Sequence, residues 1–228
     1  MTKEQFSHAV RATLLALGLV AALAACGSPR TVDAVQVLHY VDEPTDALRA
    51  ELGTPFPRHV VTRTNDAETF NDELATGRYD LVFVFVHAEA PNAQAGPVPD
   101  PALLEDHLND GGRLVLADFS RTAGYAELFD ASYTGARNLQ EADLSDPALS
   151  AGLDGPLSLE NPSGWNDYAM GLAAGDASRA ACRFENGDAC LVRAAGGRAA
   201  LLGFLGDTVP ETRARTFWRN LVAALMDA

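Results

Sequence analysis

The sequence predicts an α/β domain with a mainly parallel central sheet and an antiparallel hairpin extension towards its C-terminal end. Three observations predict it. Short apolar, β-branched runs alternate with helix-length segments between residues 34 and 118, the pattern of a sheet with crossover helices. The run Leu81–Val86 is apolar at every position, as a strand covered on both faces requires. Beyond residue 177, three strand-like runs are joined through Asn186-Gly187 and Gly196-Gly197.

In chain order, the first strands are Ala34–Val41, His59–Thr62, Leu81–His87 and Arg113–Asp118. Helices are expected at Pro44–Leu52, Asp66–Thr76 and Pro101–Asn109, with Gly53, Gly77 and Gly111 where C-terminal caps fall. A helical turn or two follows at Tyr125–Phe129, then a weak strand at Thr134–Asp143. Asp146–Gly152 reads as a short helix started by Asp-Pro. Leu157–Gly175 reads as loop-rich. The three antiparallel strands are Ala177–Phe184, Ala189–Ala194 and Arg198–Phe204. Glu211–Met226 is the last helix, with Phe217, Leu221, Ala224 and Leu225 along one face.

Composition narrows the function classes. Of 228 residues, 47% are apolar and 21% charged, ordinary globular stock. Lys+Arg 17 against Asp+Glu 31 gives a net charge of −14, which argues against a nucleic-acid partner. Three cysteines are too few for a disulfide scaffold or an all-cysteine zinc site.

Residues 1–25 carry Lys3 and Arg11 ahead of an apolar run, Ala12–Ala25, that is shorter than the ~20 residues of a membrane-spanning helix. That is the layout of a secretory signal. The run ends in Leu23-Ala24-Ala25-Cys26-Gly27, which resembles the lipobox of bacterial lipoproteins. The resemblance implies cleavage before Cys26, lipid on its thiol, and residues 26–33 as a short tether to a domain spanning 34–228. A plain signal peptide ending near a cysteine is the alternative. Losing Lys3, Glu4 and Arg11 with the leader would make the remainder one unit more negative and remove the only lysine. Anionic headgroups repel such a domain, so the expected membrane partner is held by acyl chains. Gly27, in place of Asp, is compatible with passage to an outer membrane.

Further resemblance lies in Leu104–Leu116 (LEDHLNDGGRLVL), in Asp146–Leu153, in Gly196-Gly197-Arg198 leading to Leu201–Gly206, and in a closing helix with Arg219-Asn220. Together these resemble the class I glutamine amidotransferase-like superfamily, within it the trehalose-utilisation (ThuA-like) and related non-amidotransferase branches. The resemblance covers residue 34 onward and implies a flavodoxin-like three-layer sandwich. It also implies a nucleophilic cysteine at a tight turn after the fourth strand, with a histidine later in the chain. The turn here reads Asp118-Phe119-Ser120-Arg121-Thr122, and no histidine follows His107. Ser120 is a poor stand-in, because a nucleophile elbow needs small neighbours two residues away on each side.

In a parallel sheet, ligands collect beyond the carboxyl ends of the strands. Asp42 and Glu43, His87 and Glu89, Asp118 and Ser120, and Asp207 fall there, a set able to position a sugar hydroxyl or to hold a divalent metal. Asp at a strand end is equally a turn or helix cap. His87 is the sharpest candidate; His39 reads as a hydrogen-bonded core residue, and His59 and His107 as surface residues. Trp165 and Tyr168 suit stacking on a sugar, although Trp165 also suits a plug over the core. A three-residue loop, Glu185-Asn186-Gly187, would place Cys182 opposite Cys190 for a disulfide. A two-residue Asn-Gly loop would put them on opposite faces as free thiols.

The leading expectation is a membrane-anchored, non-catalytic binding or assembly module of the cell envelope, needing no cofactor or metal, with an unknown protein or carbohydrate partner. A carbohydrate-active hydrolase or isomerase built on His87 and nearby carboxylates is one rival. An oligomeric scaffold is the other.

Overall fold

A computed structural model describes residues 34–42, 59–87, 97–122, 124–162 and 164–228. Cys26, Glu43, Glu89 and the expected helix Pro44–Leu52 lie outside the described residues, and so does most of the loop 88–99. The described residues form one mixed sheet of eleven strands with helices on both faces.

The strands are β1 Val35–Val41, β2 His59–Thr64, β3 Leu81–Val86, β4 Arg113–Asp118, β5 Ala131–Arg137, β6 Glu141–Asp143, β7 Leu157–Ser158, β8 Met170–Ala174, β9 Arg179–Phe184, β10 Ala189–Ala194 and β11 Ala199–Leu202. The described helices are α1 Ala67–Leu74, α2 Pro101–Asn109, α3 Pro147–Ser150 and α4 Glu211–Met226. Aspartates start three of them. Asp66 accepts from the Thr69 N–H at 2.7 Å, Asp100 from Ala102 at 2.9 Å and Asp146 from Ala148 at 3.0 Å, which satisfies donors that a helix start leaves open. Pro101 and Pro147 add a preset φ and remove one such donor.

The sheet order runs β2-β1-β3-β4-β11-β10-β9-β6-β7, and the pairs from β2 to β11 are parallel. From β10 onward the pairs are antiparallel, and β8 and β5 branch from β10. The C-terminal hairpin is therefore no appendage. Its last strand, β11, lies parallel beside β4, so the antiparallel half continues the same sheet.

Alternation along β3 separates two cores. Leu81, Phe83 and Phe85 pack with Phe217, Trp218, Leu221 and Leu225 of α4, whereas Val82, Val84 and Val86 pack with Phe70 of α1 and Leu104 of α2. The α4 carbonyls are capped from the sheet, where Arg113 donates to Leu225 and Arg193 donates to Ala224.

Other expectations need correction. The stretch Thr134–Asp143 is two strands, β5 and β6, separated near Asn138, which takes a left-handed φ of 52°. Leu157–Gly175 contains β7 and β8, which carry too few β-branched residues to stand out. His107 is buried, not exposed, because its Nε2 lies 3.2 Å from the Arg113 carbonyl and its ring fills the space where a Cβ on Gly112 would stand. Cys182 and Cys190 are disulfide-bonded with Cα atoms 5.1 Å apart. The three-residue loop is the one formed, with Gly187 at φ 91°. A bulge at Cys190, however, places Cys182 opposite Leu191.

Candidate functional site

The carboxyl ends of β1 and β3 lie side by side, with β2 on the far flank of β1. Asp42 directly follows β1 and His87 directly follows β3. Asp42 accepts the His87 main-chain N–H on both carboxylate oxygens, at 2.8 and 2.9 Å, and lies 3.1 Å from ring Nδ1. The His87 ring is buried, with 3% of its side-chain surface exposed. Trp165 stacks on it with centroids 5.5 Å apart and planes 27° apart. The indole Nε1–H then donates to Asp207 Oδ2 at 3.0 Å, which ties the ring to the segment after β11.

Trp165 is also clamped through its backbone. Asn161 Oδ1 accepts its N–H and Asn161 Nδ2 donates to its carbonyl, both at 2.8 Å. It is half-buried, so it closes over His87 as well as over the core it packs against. Tyr168 does not join this group: its N–H and hydroxyl are bonded to Asn138. Asn161 was not among the candidate residues; the Asn161-Pro162 turn just before Gly164-Trp165 was its only trace in the sequence.

The corner after β4 is filled by its own aspartate. Asp118 is 0% exposed and accepts from the Ser120 N–H at 3.0 Å and the Thr122 N–H at 2.5 Å. Burial pushes its carboxyl up to about 6 against the pull of these bonds, with the Asp42 charge adding to the rise. The residue with left-handed backbone is Arg121, φ 54°, and not Ser120. Ser120 is therefore not set on the strained position that exposes a nucleophile at such a turn.

His39, within β1, is buried as expected but not hydrogen-bonded at Nε2. It packs edge-on against Phe83 and Phe85, and burial, with Arg63 and His87 nearby, lowers its pKa to about 3. Among the described candidate acids, Asp42 is the one bonded to His87; Asp207 reaches it through the indole, and Asp118 occupies the neighbouring corner. Among the described residues, no group of three or more His, Cys, Asp or Glu side chains is placed to hold a metal ion.

A concavity of about 510 Å³ opens at the opposite edge beside Arg179 and Arg193. Both guanidiniums bind Asp146 Oδ2, at 2.7 and 3.2 Å, so its charge is neutralised from within.

Two solved glutamine amidotransferase-like proteins are similar to this chain in fold. A protein classed as a GMP synthase subunit, from Thermoplasma acidophilum, is similar over 85% of this chain and 95% of its own, with a TM-score of 0.57 at 9% identity. A glutamine amidotransferase from Thermotoga maritima is similar over 85% and 96%, with a TM-score of 0.58 at 12% identity. The likeness lies in the fold. No family model matches the sequence, and no curated protein matches it.

Proposed function

We propose that the chain is an exported envelope lipoprotein, anchored through Cys26, whose flavodoxin-like domain is a non-catalytic binding module. The observation that carries the non-catalytic reading is the β4 corner. Two main-chain N–H groups there are occupied by the Asp118 carboxylate, and the left-handed residue is an arginine. An acyl-transfer site needs open donors and an activated nucleophile at such a turn. The sheet edge beside it keeps a preorganised group, Asp42–His87–Trp165–Asp207, where an open parallel sheet collects ligands. A glycoside-cleaving centre would instead set two carboxyls directly about the scissile bond. Among the described residues, one carboxyl reaches the imidazole. No described helix is long and apolar enough to cross a membrane.

Expression of the full chain in a bacterium fed labelled palmitate tests the anchor. The label should sit on Cys26 and the protein should sediment with membranes, whereas Cys26→Ala should be unlabelled and released. Unlabelled wild-type protein in the soluble fraction would overturn the anchoring.

A further inference from the structure

We infer that the cavity at the amino edge of the sheet binds a small zwitterion, its acidic oxygens on Arg179 and its ammonium on the Asp176 and Asp227 carboxylates. The cavity holds about 510 Å³, within the usual range of small-molecule sites, and its lining residues are all described. It lies at the opposite edge of the sheet from the Asp42–His87 group and does not depend on the anchor at Cys26.

Topology builds the positive wall. Arg193 lies near the end of β10 and Arg179 at the start of β9, and the antiparallel register sets the two directly opposite each other. Like charges in that position repel. Asp146 relieves the repulsion through one oxygen, Oδ2, at 2.7 Å from Arg179 and 3.2 Å from Arg193. One carboxylate serves two guanidiniums, so one positive charge is left over on that wall. Arg193 is fixed there: its Nη2 donates to the Gly197 and Ala224 carbonyls, both at 2.7 Å, and its side chain is 7% exposed. A Cβ on Gly197 would stand 2.9 Å from Nη2, so the guanidinium lies where only glycine lets it pass. Its Nε finds no acceptor among the described residues. Arg179 is 57% exposed and gives Asp146 one nitrogen, which leaves it further N–H groups uncommitted among the described residues.

Opposite charges then line one cavity without meeting. Asp176 and Asp227 are exposed and line it with the arginines. Among the described residues neither carboxylate forms an ion pair, while Arg179 and Arg193 pair with Asp146 alone. The left-over positive charge and the two carboxylates are therefore held apart within the cavity. A simple anion there is repelled by the aspartates, and a simple cation by the guanidiniums. A ligand carrying both charges satisfies both sides, with charge-assisted hydrogen bonds at each end. Two sources share that chemistry: a free α-amino acid and the glycerophosphoethanolamine headgroup of a lipid.

Calorimetric titration of the full chain tests this, with glycine and glycerophosphoethanolamine as zwitterions and acetate and ethylammonium as single charges. A zwitterion should bind saturably, and each single charge about tenfold or more weakly. The tighter of the two zwitterions identifies the source. Arg179→Ala should weaken zwitterion binding by about tenfold or more while melting close to wild type, because the side chain is largely exposed. Replacing both acids, Asp176→Asn with Asp227→Asn, should weaken zwitterion binding several-fold and strengthen acetate binding, since an anion is then no longer repelled. Acetate or ethylammonium bound as tightly as the zwitterions overturns the inference. So does the absence of saturable zwitterion binding, or binding that survives both sets of substitutions. The Asp42–His87 group stands or falls separately.

Discussion

Two buried aspartates at opposite edges of the sheet are treated in opposite ways. Asp146, at the amino edge, meets Arg193 and Arg179. Burial alone would raise its carboxyl, but the Ala148 N–H and the two guanidiniums outweigh burial and hold it below the ordinary range. Asp118, at the carboxyl edge, is bonded to neutral donors and is pushed up to about 6. One edge neutralises its own charge and ties α4, β9 and β10 together. The other seats a carboxyl on neutral donors close to a buried imidazole. An ion pair with its partners in place offsets the cost of burying charge, whereas a carboxyl buried on neutral donors keeps that cost and its raised pKa.

The comparison breaks most sharply at Asp146. Asp146→Ala leaves the Arg193 guanidinium buried without its carboxylate and removes a helix cap, at a cost of about 3–5 kcal/mol in urea unfolding. Arg179→Ala, whose side chain is 57% exposed, should cost less than about 1 kcal/mol. Equal costs would mean that the triad is not the anchor of this edge.

Next is the pH signature. Folded Asp118 keeps its proton where the unfolded carboxyl, near 4, has lost it, so folding takes up a proton and stability falls as pH rises from about 4 through about 6. The fall is about 3 kcal/mol, and Asp118→Asn should abolish it. Asp146 has the reverse sign: its contribution is present above the ordinary carboxyl range and is lost as pH drops below it. Denaturation series at several pH values read both. A wild-type profile flat between pH 4 and 7 and unaltered in Asp118→Asn would contradict the contrast.

Smaller effects refine it. Reducing the Cys182–Cys190 disulfide, which closes a short loop in the antiparallel half, should lower unfolding stability by about 2–3 kcal/mol. Asn161→Ala should cost about 1 kcal/mol but shift Trp165 fluorescence, because the clamp on that residue is lost. An unchanged spectrum would show that the stack on His87 is positioned without it.

Local chemistry made much of the fold legible. The all-apolar Leu81–Val86 run, the Asp-Pro helix starts and the Glu185-Asn186-Gly187 loop are written in neighbouring residues, and each formed. Long-range pairing was not legible. Nothing near Ala199–Leu202 says that it lies parallel to β4, and β5 meets β8 only after the chain has passed through β6, α3 and β7. The bulge at Cys190, which places Cys182 opposite Leu191, was likewise not legible. At the candidate site, strand ends located Asp42, His87 and Asp118, and Asp207 lies in a turn five residues beyond β11. The Trp165 bond to Asp207 and the Asn161 clamp needed the folded chain.

Ammonia release from L-glutamine by the full chain and by Ser120→Ala is the most direct measure of whether the β4 corner is chemically silent. With the Asp118 carboxylate seated on the corner N–H groups, both proteins should match the uncatalysed rate. Wild-type turnover that Ser120→Ala abolishes would contradict the account.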